Sequence, residues 1–556
     1  MAGFDESFDW VVVGSGAGSM SSGLLMRQAG KSVVILEKSE FFGGTTSKSG
    51  GVMWIPNNRF MNPGEDSPEK AITYLDSVVG NDPSAPGTSH DKRMVYVNDA
   101  PKALDFLVSQ GIKLERGSDF WPDYYDDLPG GCKTSRTVTA LPFNKNELGP
   151  WAPKLRMGFI EAPAKLDDGM KLAYAKHSWK IKMIFAKIAF RVVLGKLTGK
   201  HWVTAGAALQ GRMLQAGLKA GVDVRLKSAV SELVVEAGKV TGVLTVKDGK
   251  PWRVGARLGV MVNAGGFAQN QAMRDKYQPG TKAAWSNTPE CDTGEMHLEM
   301  ERIGGVLAQM EEMVGFQTTL APGAEKDYVK PGMQGVTAKP HAILVDQSGV
   351  RYMNEGGSYE LYCETMLKRN KVVPAVPSWA IMDAQFMEEY PLAGSTGIKK
   401  KPKSWFETGY LKQADTIEEL AKLIKVDPAK LKATVDRWNA MMDKGADEDF
   451  QRGVRFYDRW LGDPFHKPNP TLGHINKAPF YAVDVVPGDV STYGGVVTDV
   501  NSRVLRSDGS VIEGLYATGV ATASAMGRVY PGAGASVGPS MVFGYVAAKH
   551  AVGRGS

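Results

Sequence analysis

The sequence predicts an α/β protein in which a Rossmann-like nucleotide-binding domain is interrupted by an inserted α+β capping domain. Three observations predict it. Residues 9–38, "DWVVVGSGAGSMSSGLLMRQAGKSVVILEK", read as a strand, a glycine turn, a helix and a second strand. Strand patterns return at 228–266 and at 509–519, as if the chain came back to the same sheet. Between these returns, residues 318–490 carry their own mixture of strand and helix signals. At 556 residues the chain is too long for one compact core, and 43% hydrophobic with 23% charged residues is the balance of a globular protein.

The first unit is the most informative. Trp10–Val13 read as a buried strand, Met20–Ala29 as a helix and Ser32–Leu36 as a second strand. The turn between them, Gly14-Ser15-Gly16-Ala17-Gly18-Ser19, has glycines where a pyrophosphate must approach backbone at a helix N-terminus, with Ser19 in place of the third fingerprint glycine. Glu37, followed by Lys38, ends the second strand about 20 residues on, where a carboxylate takes ribose hydroxyls. The next stretch, "KSEFFGGTTSKSGG", supplies a second small, hydroxyl-rich loop from Gly43, Gly44, Thr45, Thr46 and Ser47 to Gly50 and Gly51. Such a loop can line a diphosphate and a flavin ring, so FAD is favoured over NAD. The later returns, "LGVMVNAGGF" with Ala264 and Gly265 and "GLYATG" with Gly519, place small residues against the same cofactor, as do Ala535 and Val537 near the end.

The predicted domains are 1–317 with 491–556 for the flavin, including a basic amphipathic insert at about 150–205, and 318–490 for the cap. The cap is read from strands in "HAILVD" and "SWAIMDAQF" and a helix in "TIEELAKLIKV", with Asp415 and Thr416 as candidate caps. Basic "GIKKKPKSW", 397–405, reads as a solvated loop.

The net charge of +6 is small for this length and gives no nucleic-acid signature. Cys132, Cys291 and Cys363 are far apart, with no zinc or disulfide spacing, and no metal site is predicted. The start, "MAGFDESFDW", is acidic and runs directly into a strand, so a reducing, cytoplasmic setting is expected. No window of about 18 uncharged apolar residues predicts a spanning helix.

Near the C-terminus, "RVYPGAGASVGPSM" sets one phenol, Tyr530, among small residues, with Gly532 and Gly534 leaving backbone N–H groups open to a ligand. A phenol and an amide can hold one carbonyl oxygen between them. The order of the glycine turn, Glu37, the Gly43-Gly44-Thr45 loop, "NAGGF", "STYGGVVTD", "GLYATG" and "YPGAGASVGPSM" resembles the fumarate reductase and 3-ketosteroid dehydrogenase flavoproteins over nearly the whole chain. Within them "YPGAGASVGPSMVFGYVAA" resembles the 3-ketosteroid Δ1-dehydrogenases.

The resemblance implies that Tyr530 and the Gly534 amide grip a steroid C3 carbonyl. It places a catalytic base at Tyr359 in "RYMNEGGSYELYCE", with Tyr362 as its rival. It places an assisting tyrosine at Tyr124 and a substrate-facing aromatic at Trp121 in "FWPDYYDDLPGG", with Tyr125 as rival to Tyr124. The implied reaction removes a proton from C2 and passes the C1 hydride to flavin N5, as a step of steroid degradation with a quinone or another electron acceptor downstream. A free tyrosine has a pKa of about 10, so each unit of depression needs about 1.4 kcal/mol, part of which a hydrogen bond from Tyr124 to Tyr359 is expected to supply.

Three other readings share the fold. A fumarate-reductase-like enzyme needs arginine clamps, for which Arg351 and Arg528 are the candidates, while His341 reads as a strand-edge residue. A 3-ketosteroid Δ4-(5α)-dehydrogenase is the nearer relative. A flavin-fold escort protein without redox chemistry has no need of the intact flavin-covering C-terminal segment. Separately, "KHSWKIKMIFAKIAFRVVLGKLTGKHW", 176–202, contains no acidic residue. As a helix it puts Lys176, Lys180, Lys187 and Arg191 between an Ile181, Ile184, Ile188, Val192 stripe and a Trp179, Met183, Ala186, Phe190, Val193 stripe. One apolar face is expected to pack on the protein and the other to lie at a membrane surface, on the inner face of the cell membrane.

Overall fold

The computed structural model describes residues 3–117, 121–324, 328–394 and 401–554. Its centre is an eight-stranded sheet whose main path runs Arg503–Leu505, Val511–Ala517, Lys250–Val262, Glu6–Val13, Val33–Leu36, Asp223–Arg225. The pairs around Glu6–Val13 are parallel, and Trp10 to Val13 and Val33 to Leu36 are buried on both faces, as their unbroken apolar runs require. The hairpin Glu232–Glu236 and Lys239–Lys247 continues into Lys250–Val262, a 13-residue strand longer than its sequence pattern shows.

The first helix spans Ala17–Gln28 and so begins three residues before the expected Met20. Small residues are helical here because the C-terminal helix, Val537–Arg554, packs directly on them. A Cβ on Gly18 would stand 2.4 Å from the Ser540 carbonyl oxygen, and one on Gly544 would stand 2.4 Å from that of Gly18.

The cap is built on a four-stranded antiparallel sheet in the order Ala342–Val345, Ser378–Met382, Phe480–Val485, Lys412–Ala414. Helices Ile417–Leu423 and Pro428–Lys444 cover one face. Thr416, and not Asp415, caps the first of these by accepting from the Glu419 N–H. Chain leaves and re-enters the flavin half side by side, because Met313–Gly315 pairs antiparallel with Asp489–Thr492. That ladder lies beside the helix Tyr359–Asn370, whose Tyr359 carbonyl a Cβ on Gly315 would meet at 3.1 Å.

The basic insert forms a helix at Trp179–Leu197, capped by Ser178. Ile181, Ile184, Ile188 and Val192 are half-buried, whereas Trp179 is 76% exposed, Met183 52%, Phe190 68% and Val193 56%. Lys176 does not belong to the basic stripe: it lies before the helix and pairs with Glu389 of the cap. The charges of "GIKKKPKSW" fall partly at 397–400, outside the described residues. Among the described residues no helix is long and apolar enough to cross a membrane.

Candidate active site

A pocket of 460 Å³ opens at the carboxyl ends of the parallel strands, where open α/β sheets bind ligands. Gly14, Ser15 and Gly16 form one wall, Gly44, Thr45 and Thr46 another, and Glu37, Lys38, Ala264, Gly265 and Val537 also line it. Gly14 has φ +92, and a Cβ there would stand 2.3 Å from the Asn263 carbonyl oxygen. The helix Ala17–Gln28 has no side-chain cap at Gly16, so its N-terminus is left for an anionic ligand. Glu37 is held by the Ser15 hydroxyl at 2.6 Å and the Ser39 N–H at 2.8 Å, with the Ser15 hydroxyl accepting in turn from the Gly43 N–H. Length, glycine cradle and carboxylate fit a flavin dinucleotide.

Nine expected cofactor residues do not line this pocket, and their contacts explain why. Ala17, Gly18 and Ser19 are inside the first helix, where Ser19 bonds the Gly14 carbonyl. Gly43 is closed over by Ser47, whose hydroxyl a Cβ there would meet at 2.2 Å. Gly51 backs onto Gly206, leaving 2.4 Å for a Cβ, and Gly50 faces Leu166. Gly519 and Ala535 border a small neighbouring cavity instead. Conversely, sequence reasoning missed Asn263, Asp292, Ser536 and Ser540. Asp292 accepts from the Gly266 N–H at 2.6 Å, its other oxygen has no protein partner, and burial pushes its carboxyl up to about 6.

Beyond Ser536 and Val537 lies a cluster of phenols. Tyr359 and Tyr530 rings are 5.4 Å apart, Tyr124 and Tyr359 5.4 Å, and Tyr124 and Tyr530 5.9 Å. The loops that carry them are latched together. The Tyr124 N–H donates to the Pro531 carbonyl at 3.0 Å, and the Trp54 indole and Arg136 hold Asp123 beside it. Tyr359 is the first residue of its helix, preceded by a motif in which Glu355 pairs with Arg351 and Arg452 and Asn354 donates to Asp458. The same Asp458 follows Tyr457, so one bond fixes Tyr359 relative to Tyr457, whose ring lies 4.4 Å from Tyr124. Trp121 packs edge-on against Trp460 at 5.8 Å.

Gly534 has φ +93 and packs on the Val52 and Met53 backbone, so only glycine fits, and its N–H faces the Tyr530 hydroxyl. Phenol and amide therefore lie side by side. Gly532 does not share this role: a Cβ there would meet the Trp54 indole at 2.6 Å, so that glycine serves packing. The rivals separate as well. Tyr362 turns into the cap core and meets the Thr337 hydroxyl at 3.1 Å, and Tyr125 lies under the Arg455 guanidinium. Tyr457, Trp460 and Tyr493 were missed; the aromatic-rich "RFYDRW" was the signal for two of them.

Burial pushes the Tyr359 hydroxyl well above the ordinary phenol range, with Tyr124 and Tyr530 adding to the rise. The expected lowering of Tyr359 by Tyr124 is thus reversed: the Tyr359 hydroxyl donates to Tyr124, and that bond raises Tyr359 while lowering Tyr124. The place of Tyr359 at a helix N-terminus favours its phenolate by about 0.3–1 kcal/mol, rising toward 2 when partly buried. The clamps considered for a dicarboxylate are engaged elsewhere. Arg351 lies between Glu355 and Asp447, and Arg528 is held by Glu311 and Glu312.

A flavin pocket at the carboxyl ends of the sheet, beside a cluster of three buried phenols, fits an FAD-dependent oxidoreductase. The family model described as FAD binding domain matches residues 9–537. The 3-oxosteroid 1-dehydrogenase of Mycolicibacterium smegmatis is 36% identical over 98% of this chain and 97% of that protein. The 4-oxocyclohex-2-ene-1-carboxylate 5-dehydrogenase of Sinomonas cyclohexanicum is 32% identical over 97% of this chain and 93% of its own. The structure of 3-ketosteroid Δ1-dehydrogenase from Sterolibacterium denitrificans in complex with 1,4-androstadiene-3,17-dione matches with a TM-score of 0.92 at 33% identity, over 99% of this chain and 100% of that one. The chain belongs to the FAD-binding family and, within it, to the 3-oxosteroid 1-dehydrogenases. A 3-ketosteroid Δ4-(5α)-dehydrogenase of Rhodococcus jostii, 20% identical with a TM-score of 0.67, shares the fold.

Proposed function

We propose that the chain introduces a double bond between C1 and C2 of 3-ketosteroids. The observation that carries this reading is the Tyr530 hydroxyl held beside the Gly534 N–H, with the Tyr359 ring 5.4 Å away. Both donors bond the C3 carbonyl oxygen and gain strength as negative charge develops there during loss of the C2 proton, each worth about 3 kcal/mol. Tyr359 takes that proton as its phenolate, after its own hydroxyl proton has passed by way of Tyr124 toward Tyr457. Bound FAD supplies the acceptor, at N5, for the hydride that leaves C1. Trp121 and Trp460 flank the ring system. The two electrons pass on to an acceptor of the quinone class.

The helix Trp179–Leu197 docks on the lipid surface that dissolves both steroid and quinone, with its exposed Trp179, Met183, Phe190 and Val193 in the interface and Lys180, Lys187 and Arg191 against anionic headgroups. This puts the enzyme on the inner face of the cell membrane. The purified yellow holoprotein, mixed with 4-androstene-3,17-dione and an artificial acceptor, is expected to yield 1,4-androstadiene-3,17-dione by NMR. Reaction confined to the saturated A ring of a 5α-steroid, with the 4-ene untouched, overturns the reading in favour of Δ4 chemistry.

A further inference from the structure

Lys92 lies on the helix His90–Ser109 and is 4% exposed. Its ammonium donates to the Thr498 hydroxyl at 2.7 Å and to the Thr498 carbonyl at 3.1 Å, and stands 5.5 Å from the centroid of the Phe543 ring. The nearest carboxylate acting on it, Asp499, is itself bound by Arg503 at 2.7 Å. A buried ammonium without a carboxylate in contact is costly to keep. Its surroundings suggest what it is kept for.

The side chain borders a cavity of 20 Å³, room for about one water. Val520 and Ser536 line both that cavity and the flavin pocket. Ser536 and Val537 line the pocket and follow Tyr530 and Gly534 in the chain. Tyr493, which also borders the cavity, packs on Tyr530 with ring centroids 5.8 Å apart. The ammonium therefore borders a cavity that shares two lining residues with the flavin pocket.

We propose that Lys92 is the counter-charge of the reduced cofactor: acting across this cavity, it stabilises the negative charge that flavin gathers at N1 and the C2 oxygen once it has accepted a hydride. Lys92 touches neither steroid nor flavin in this arrangement and is a positioning residue that acts through the field. Burial lowers its pKa to about 8, so it is charged at neutral pH. The inference rests on the flavin reading and not on the identity of the steroid, so its failure leaves desaturation standing.

The test reads the flavin directly. Sulfite adds through its sulfur lone pair to N5, leaving a negative charge on N1 and the C2 oxygen, and bleaches the flavin's long-wavelength band. Holoenzyme carrying Lys92→Met is expected to bind sulfite about tenfold more weakly than wild type, the equivalent of about 30 mV in a two-electron couple. Lys92→Arg, which keeps the charge, is expected to bind sulfite much as wild type does. Sulfite affinity unchanged in K92M, or lost equally in K92R, overturns the proposal. Should K92M fail to retain FAD, the dithionite-reduced wild type decides. As pH is lowered its reduced flavin is expected to stay anionic well below the pH at which free reduced FAD takes up its proton. A neutral spectrum at the pH of the free cofactor overturns it.

Discussion

Tyr530 is useful because of what surrounds it. Its hydroxyl sits 2.9 Å from the Ser536 hydroxyl and faces the Gly534 N–H, so the phenol is held beside the amide with little freedom to reorganise. Tyr530→Phe removes a donor that acts on the ground-state carbonyl and on the charge that develops from it. A rise in KM together with a kcat/KM lowered about 10²–10³-fold is expected from steady-state assays; unchanged constants would refute the grip. At this scale the sequence was legible where a motif fixed the backbone, as in "YPGAG". Tyr359 and Tyr362 are one helical turn apart, so no local pattern separates them; only tertiary packing sends Tyr362 against Thr337 and Tyr359 toward Tyr530. Gly532 and Gly534 look alike in sequence and differ only in which neighbour would strike a Cβ.

Elements set these residues in place. The glycine turn, the first two strands and Glu37 were readable because periodicity and turn chemistry agree there. The helix start at Ala17 was not, because small residues weaken the helical pattern and only the C-terminal helix, far away in sequence, demands them. The same limit hid the packing of Gly18, Gly51 and Gly519, where a Cβ would strike other elements.

The insert helix is the element whose pattern was plainest, with one apolar stripe half-buried and the other in solvent. Near an anionic surface each lysine or arginine contributes about 1 kcal/mol. Wild-type protein is therefore expected to sediment with anionic vesicles at low salt. A variant with Lys180, Lys187 and Arg191 changed to Glu is expected to stay in the supernatant while keeping its rate on detergent-solubilised steroid. Wild type that remains in the supernatant contradicts membrane docking.

Across the whole molecule, the phenols come from both halves. Tyr124 and Tyr530 belong to the flavin half, whereas Tyr359 and Tyr457 come from the cap, beside the ladder where Met313–Gly315 meets Asp489–Thr492. The cap thus completes the base only when it rests on the flavin half, and the Asp126 carboxylate, accepting from the Tyr457 N–H at 3.0 Å, is one of the bonds that hold it there. Burial among these phenols raises the Tyr359 pKa. A base whose pKa lies above the working range is mostly protonated, and its active fraction grows about tenfold for each unit of pH below that value. The most direct test of the account is the rate at which steroid reduces the bound flavin, followed by rapid mixing against pH in wild type and in Tyr359→Phe. The account predicts a wild-type rate that climbs with pH through the neutral range, and a mutant that binds steroid normally yet reduces its flavin about 10²–10⁴-fold more slowly with no such climb. A mutant that reduces its flavin as fast as wild type, with the same pH profile, would contradict it.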